Sequence, residues 1–271
     1  MNRIWRDIGI VLLILLVLAA AYIGIGYVRG TVHFGNGGSA SKKLVEGSFT
    51  PENPTSLVID ADVANVNVTA GDTWSVEYAL YFEPEITEAN GVLTIQDAPK
   101  KEKSLWFSFG KSISASPYIH VTVPSEIALD LETDVGDVRI EGLTIGDTEL
   151  STDVGNLTLQ DVQAASLKAE VDTGDVFLNQ VTASDSLDVE CDVGNVTLSE
   201  VNARSVTATS DVGDLNVNLT GPLTDYALMV DADVGDIVVD GLKQGKFYNT
   251  EGGIPVFIKT DTGDINVTFG A

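Results

Sequence analysis

Eight residues recur seven times in the second half of this 271-residue chain: TDVGDVRI from Thr133, TDVGNLTL from Thr152, VDTGDVFL from Val171, CDVGNVTL from Cys191, SDVGDLNV from Ser210, ADVGDIVV from Ala232 and TDTGDINV from Thr260. Their glycines, Gly136, Gly155, Gly174, Gly194, Gly213, Gly235 and Gly263, are 19, 19, 20, 19, 22 and 28 residues apart. A near-constant period of about 20 residues marks a solenoid, in which a unit buries its apolar face only by stacking on its neighbours.

Aligning the copies separates inside from outside. Position six holds Val138, Leu157, Val176, Val196, Leu215, Ile237 and Ile265, and position eight is aliphatic throughout. Alternation of this kind points both positions inward and the residue between them outward. A second strand follows later in the coil (Leu167 and Ala169, Leu187 and Val189, Val206 and Ala208), with another apolar residue between the two strands (Leu143, Val162, Val181, Val201). The reading is an all-β chain, a parallel β-solenoid with coils of about 19–20 residues, with the position-six side chains in one inner column.

The motif itself reads as a turn. Its glycine serves where the backbone needs φ > 0 or a close approach. The aspartate two residues earlier (Asp134, Asp153, Asp172, Asp192, Asp211, Asp233, Asp261) is expected to accept turn amides, as in an Asx-turn. Position five alternates Asp137, Asn156, Asp175, Asn195, Asp214, which keeps a second full acid column from forming. Position one is small, so Cys191 reads as a core residue rather than a nucleophile. One Asp, one Gly and one Asp or Asn per coil leave a calcium ion short of its usual six to eight oxygens. The turn residues are therefore structural; no catalytic, metal or cofactor residue is singled out, and weak calcium binding is the most the ladder allows.

Residues 8–28, IGIVLLILLVLAAAYIGIGYV, carry no charge and as a helix reach about 30 Å, the thickness of a hydrocarbon core. They read as one N-terminal transmembrane helix, an uncleaved signal anchor. Arg3 and Arg6 before it, with a short tail, favour N-in and the rest of the chain outside. The expected domains are a cytoplasmic tail (1–7), the anchor (8–28), a Gly/Ser-rich tether (29–53), an N-terminal β-strand region or cap (54–131) and the solenoid (132–271). Within 54–131, SLVIDADVANVNV reads as two strands in which Ala64 takes the glycine slot, so a different turn is expected there. WSVEYALYF, GVLTIQ and YIHVTVP read as strands, EANG as a turn, and PKKEKSLWFSFGKS as a charged loop around Trp106 leading into a strand. The late insertion is expected to cap the core with Phe247, Tyr248, Phe257 and Phe269.

The formal net charge is −25, and residues 126–271 hold 28 acids against 6 bases. Such a surface repels nucleic acid. One cysteine excludes an internal disulfide and any CxxC motif, and His33 and His120 stand in no ligand spacing.

The ordered set LVIDADVANVNV, GVLTIQ, IHVTVP and DVGDVRI-type coils ending in TDTGDINVTFG resembles a family of bacterial envelope proteins built from β-strand repeats, proposed adhesins or domains of unknown function that include LiaG-like proteins. The resemblance covers nearly all of the chain after the tether. It implies a β-solenoid on an envelope protein and brings no catalytic residues. The expected function is a non-catalytic, membrane-anchored surface module for adhesion, envelope-stress sensing or partner binding, its partner an envelope protein or polysaccharide. A self-assembling solenoid scaffold and a polysaccharide-active enzyme are the alternatives.

Overall fold

Alternating aliphatic residues give strands whose inner side chains meet only when coils stack in register, and that register is what the chain adopts. The computed structural model describes residues 44–97, 116–124 and 126–270; the description below concerns the unit made by Val45–Pro99 and Pro117–Ala271. The anchor segment 8–28 and the loop around Trp106 lie outside the described residues, among which no helix is long and apolar enough to cross a membrane.

Each coil has an entry strand that runs into the motif and an exit strand that begins at position six. Exit strands pair in parallel: Val138 with Leu157, Leu157 with Val176, Val176 with Val196 and Val196 with Leu215. Each of these side chains is at most 1% exposed, and removing such a side chain from water contributes about 1.5–3 kcal/mol. Entry strands stack likewise, Leu167 on Leu187 and Leu187 on Val206. The corner after the exit strand uses left-handed backbone at Gly142 (φ 71°), Asp161 (55°), Gln180 (55°) and Glu200 (54°). It returns the chain so that Leu143, Val162, Val181 and Val201 point inward and are buried. One core runs unbroken from Leu57 to Val267.

Both ends depart from the expected sequential order. Residues 254–269 insert between 205–219 and 226–239: Ala208 pairs with Ile258 and Ile258 with Val230, while Leu215 pairs with Ile265 and Ile265 with Ile237. At the other end 56–70 lies between the 126–141 coil and a rung made of Val92–Gln96 and Tyr118–Val123. The 54–131 region is thus no separate cap, because Ser56–Val63 and Asn65–Ala70 are a full coil of the stack. Capping falls to antiparallel strands. Ser75–Leu80 pairs with Tyr118–Val123, Val45–Phe49 pairs with Ser75–Leu80, and Glu85–Ala89 pairs with Val92–Gln96. Val45–Phe49 lies inside the segment expected to be tether, which ends earlier than its Gly and Ser content indicated.

At the far end Leu242–Lys243 and Phe247–Asn249 pair antiparallel with the last coil. Of the four aromatic residues expected to close the core there, Tyr248 and Phe269 pack against it. Phe247 is exposed and Phe257 half-buried, because both occupy outward positions of their strands. The hairpin turns at both ends are alike, with positive φ at Asn90 and Gly91 and at Asp240 and Gly241. Asn-Gly and Asp-Gly adopt that backbone at low cost, and its twist matches that of the flanking strands.

Candidate functional site

The repeated motif builds one long edge of the stack, and each of its positions forms a column. A Cβ added to Gly155 would lie 1.9 Å from the carbonyl oxygen of Gly136, and one on Gly174 would lie 1.8 Å from that of Gly155. The same overlap recurs at Gly136, Gly194, Gly213, Gly235 and Gly263. Close backbone approach, rather than turn type alone, therefore requires glycine. Ala64 ends the column. Its amide donates to Val135 O at 3.0 Å just as Gly136 donates to Val154 O at 2.9 Å. The turn keeps that bond, while Ala64 does not take the positive φ of Gly155, Gly174, Gly194, Gly235 and Gly263. Ala64 faces the terminal rung, whose exit strand begins at Tyr118; there the buried Pro117 precedes the strand, and its carbonyl accepts Asn65 N–H at 3.0 Å.

The side chains that accept turn amides are those of position five, not the aspartates of position two. Asn65 Oδ1 accepts Asp137 N–H, Asp137 Oδ1 accepts Asn156 N–H, Asn156 Oδ1 accepts Asp175 N–H, and Asp175 Oδ1 accepts Asn195 N–H, at 2.8–2.9 Å. The ladder continues through Asn195 and Asp214 to Asp264, whose Oδ1 takes Asp236 N–H. Alternation of Asn and Asp thus begins at Asn65, and it fails only where Asp214, Asp264 and Asp236 adjoin. Lys243 pairs with Asp236 at 2.6 Å and holds its carboxyl below the usual range.

Position one carries a second ladder that its small size alone did not reveal. Thr152, Ser210 and Thr260 donate their hydroxyls, and Cys191 its thiol, to the motif-glycine carbonyl of the adjoining coil at 3.1–3.4 Å. Cys191 is fully buried, and burial pushes its thiol up to about 12. In the terminal rung this slot holds the buried Asp97, whose carboxylate accepts Asp62 N–H at 2.7 Å and Val63 N–H at 3.0 Å. Burial raises its pKa in spite of those bonds. Nothing in its local sequence marks Asp97; the feature that could have found it is its place one residue after an alternating strand, where the coils have position one.

Asp134, Asp153, Asp172, Asp192 and Asp211 stand exposed in an uninterrupted column without a hydrogen-bond or ion-pair partner among the described residues. Partial burial, then the charge of neighbouring acids, raises the pKa of Asp134, Asp172 and Asp192. Asp261 is paired with Lys259 at 2.7 Å. Among the described residues no group of three or more His, Cys, Asp or Glu side chains is placed to hold a metal ion.

Charge is sorted between the outer faces. The entry-strand face presents Asp130, Glu149, Lys168 and Asp188 in one register column and Glu132, Ser151, Glu170 and Glu190 in the next. Lys168 bridges Glu170 at 2.6 Å and Glu149 at 2.9 Å, and these two partners hold its ammonium above the ordinary lysine range. A groove of about 480 Å³ opens here, lined by Asp130, Asp147, Glu149, Lys168 and Asp188 together with Thr148, Ser166 and Ser186. The exit-strand face carries Thr158, Phe177, Thr197 and Asn216 in one column and Gln160, Asn179 and Ser199 in the next. His120, on the same face, is exposed and stacks against Tyr118 with ring centroids 4.7 Å apart; His33 lies outside the described residues.

Several solved structures are similar to the chain at low identity. A candidate adhesin from Bacteroides fragilis is 17% identical over 86% of this chain and all of its own, with a TM-score of 0.48. A candidate adhesin from Parabacteroides distasonis is 16% identical over 85% of this chain and 98% of its own, at 0.46. A candidate lipid-binding protein from the same species is 12% identical over 84% and 97%, at 0.41. No curated protein matches the chain. The Toastrack DUF4097 family model matches residues 55–247, most of the coils described above, and the chain belongs to that family.

Proposed function

We propose that the protein is a non-catalytic module of the bacterial cell envelope, held at the membrane by residues 8–28 with its amino terminus inside, whose β-solenoid stands outside the cell and binds an envelope partner. The observation that carries this reading is where the chain places its chemistry. The interior is closed by aliphatic columns and backbone-directed ladders, so recognition is left to the long outer faces. Binding proteins among the structural neighbours, named as candidate adhesins and a candidate lipid-binding protein, accord with it.

Against an enzyme stand the acids that repeat from coil to coil, Asp97 buried and engaged by the amides of Asp62 and Val63, Lys168 in the groove engaged by Glu149 and Glu170, and the buried thiol of Cys191. The scaffold reading is weakened by the ends, because antiparallel strands cover both terminal rungs and deny an incoming copy a parallel edge. The excess of acids disfavours nucleic acid as a partner.

The test is protease added to intact, wall-stripped cells, with the protein detected through a tag at each end. Digestion of the repeats before lysis is the expected result. Repeats that stay intact until the cells are lysed place the solenoid inside and overturn the proposal.

A further inference from the structure

The exit-strand face is the exception on a molecule of net charge −25. In its middle Phe177 lies between Thr158 and Thr197 in register, and it is 41% exposed. Beside it the amides are held in place by one another: Asn179 Nδ2 donates to Gln160 Oε1 at 2.7 Å, and Gln160 Nε2 donates to Gln180 Oε1 at 3.0 Å. The hydroxyls of Thr158, Thr197 and Ser199 have no hydrogen-bond partner among the described residues. Towards the amino-terminal end the charges of Arg139 and Glu141 neutralise each other at 2.8 Å. One coil further, the Oδ1 of Asn67 is buried without a hydrogen-bond partner among the described residues.

We infer that this face binds an uncharged, hydroxyl-rich polysaccharide lying along the stack, with a sugar ring on Phe177 and its hydroxyls on the flanking amides and hydroxyls. The inference rests on the proposed placement of the solenoid at the envelope and names the partner class. Electrostatics select an uncharged chain. A phosphate- or uronate-bearing polymer meets the repulsion of the whole molecule, and a cationic one is drawn to the entry-strand face instead. Composition favours a sugar over a protein. Protein interface cores are rich in aromatic residues, Met and Arg and poor in Ser, whereas here one phenyl ring is set among amides and hydroxyls. An aromatic face gives a flat apolar platform for one side of a pyranose, and Asn, Gln, Thr and Ser both donate and accept hydrogen bonds, as sugar hydroxyls require. Coils repeat every ~4.8 Å, so like groups recur at an interval comparable to the rings of an extended sugar chain.

The experiment is affinity electrophoresis of the full chain, purified in non-ionic detergent, through gels cast with hydroxyethyl cellulose, dextran or carboxymethyl cellulose. Retardation by an uncharged polymer is expected, persisting at roughly 0.5 M salt, where Coulombic attraction is largely screened. The extended β-linked chain and the coiled α-linked one tell which linkage fits. Phe177→Ala is expected to weaken binding about tenfold and Phe177→Tyr to retain it, with far-UV circular dichroism melts unchanged because the side chain is exposed. Absence of retardation by both uncharged polymers overturns the inference. So does retardation that Phe177→Ala leaves untouched, or retardation confined to carboxymethyl cellulose and lost in salt. The protease test above is independent, so either reading can fail alone.

Discussion

Replacing Gly174 by alanine puts the stacking geometry at risk in one step. The added Cβ would sit 1.8 Å from Gly155 O and 2.6 Å from Gly155 C, against 3.4 Å where ordinary contact begins, so the two coils must part locally by 3.4 − 1.8 = 1.6 Å. Both atoms it meets are backbone, so no rotamer change relieves the overlap. The φ of 150° at this residue adds strain for a side chain. Three bonds across the gap bear the opening: Gly155 N–H to Thr173 O at 3.0 Å, Leu157 N–H to Asp175 O at 3.0 Å and Asp175 N–H to Asn156 Oδ1 at 2.9 Å. At about 1 kcal/mol net for each bond lost, with about 1–3 kcal/mol for overpacking, Gly174→Ala is expected to cost about 4–6 kcal/mol. Two other sites are controls within the same protein. A Cβ on Gly146 meets nothing within 4 Å, so Gly146→Ala should lie within about 0.5 kcal/mol of the parent. Gly142 has φ 71° and its nearest neighbour at 3.5 Å, so Gly142→Ala should cost about 1 kcal/mol from backbone conformation alone. The assay is urea unfolding of the full chain followed by far-UV circular dichroism and analysed by linear extrapolation. If Gly174→Ala matches Gly146→Ala, close approach is not what the repeated glycine serves.

Two further expectations concern the motif edge. Asp97, Asp134, Asp172 and Asp192 have folded pKa values raised above the ordinary 3.8, so the folded state binds protons more tightly than the unfolded one. Their contribution to stability is fully present below that ordinary value and is lost as pH rises through the raised values. The melting temperature should therefore climb on mild acidification from neutral pH, and Asp134→Asn/Asp172→Asn/Asp192→Asn should raise it at neutral pH and flatten the dependence; a rise of many degrees with millimolar calcium that this variant abolishes would instead make the column a metal site. Cys191 should resist alkylation until denaturant is added, Cys191→Ser should cost less than about 1 kcal/mol because Ser210 fills the same slot, and Cys191→Leu should cost about 1–3 kcal/mol by overpacking; a thiol that reacts at the native rate of a free peptide contradicts its burial.

Much of the coil could be read from residues alone because stacking repeats a local rule. Val138, Leu157, Val176 and Val196 announced their column through alternation, and the glycines announced theirs through period. The order of coils at the ends was not legible, since 226–239 and 254–269 carry the same inward pattern and either fits against 205–219. The one hint was the 28-residue step from Gly235 to Gly263, whose extra residues make the antiparallel strands beyond the last coil. The acceptor of the turn amides is hidden in the sequence for a different reason. Asp at positions two and five both satisfy the Asx pattern within one coil, and only the neighbouring coil, 19 or 20 residues away, shows that position five faces the next N–H. The exit-strand face is not legible in the sequence because Thr158, Phe177 and Thr197 read individually as ordinary solvent-side residues; their common neutrality emerges only when the coils are laid side by side.

The interleaved ends impose a schedule on the growing chain. Among the described residues the only parallel partner of 226–239 is 254–269, so its native parallel neighbour exists only after some thirty residues more have arrived. At the start, 56–70 likewise waits for 92–96, 118–123 and 126–141. The middle coils can add one upon another as they emerge, in the manner of a solenoid, while at the carboxyl end the last strands enter between two stretches made before them. A chain interrupted near residue 240 would carry an orphaned coil with bare strand edges, and pulling on residues 254–269 would have to shear two ladders at once rather than peel one.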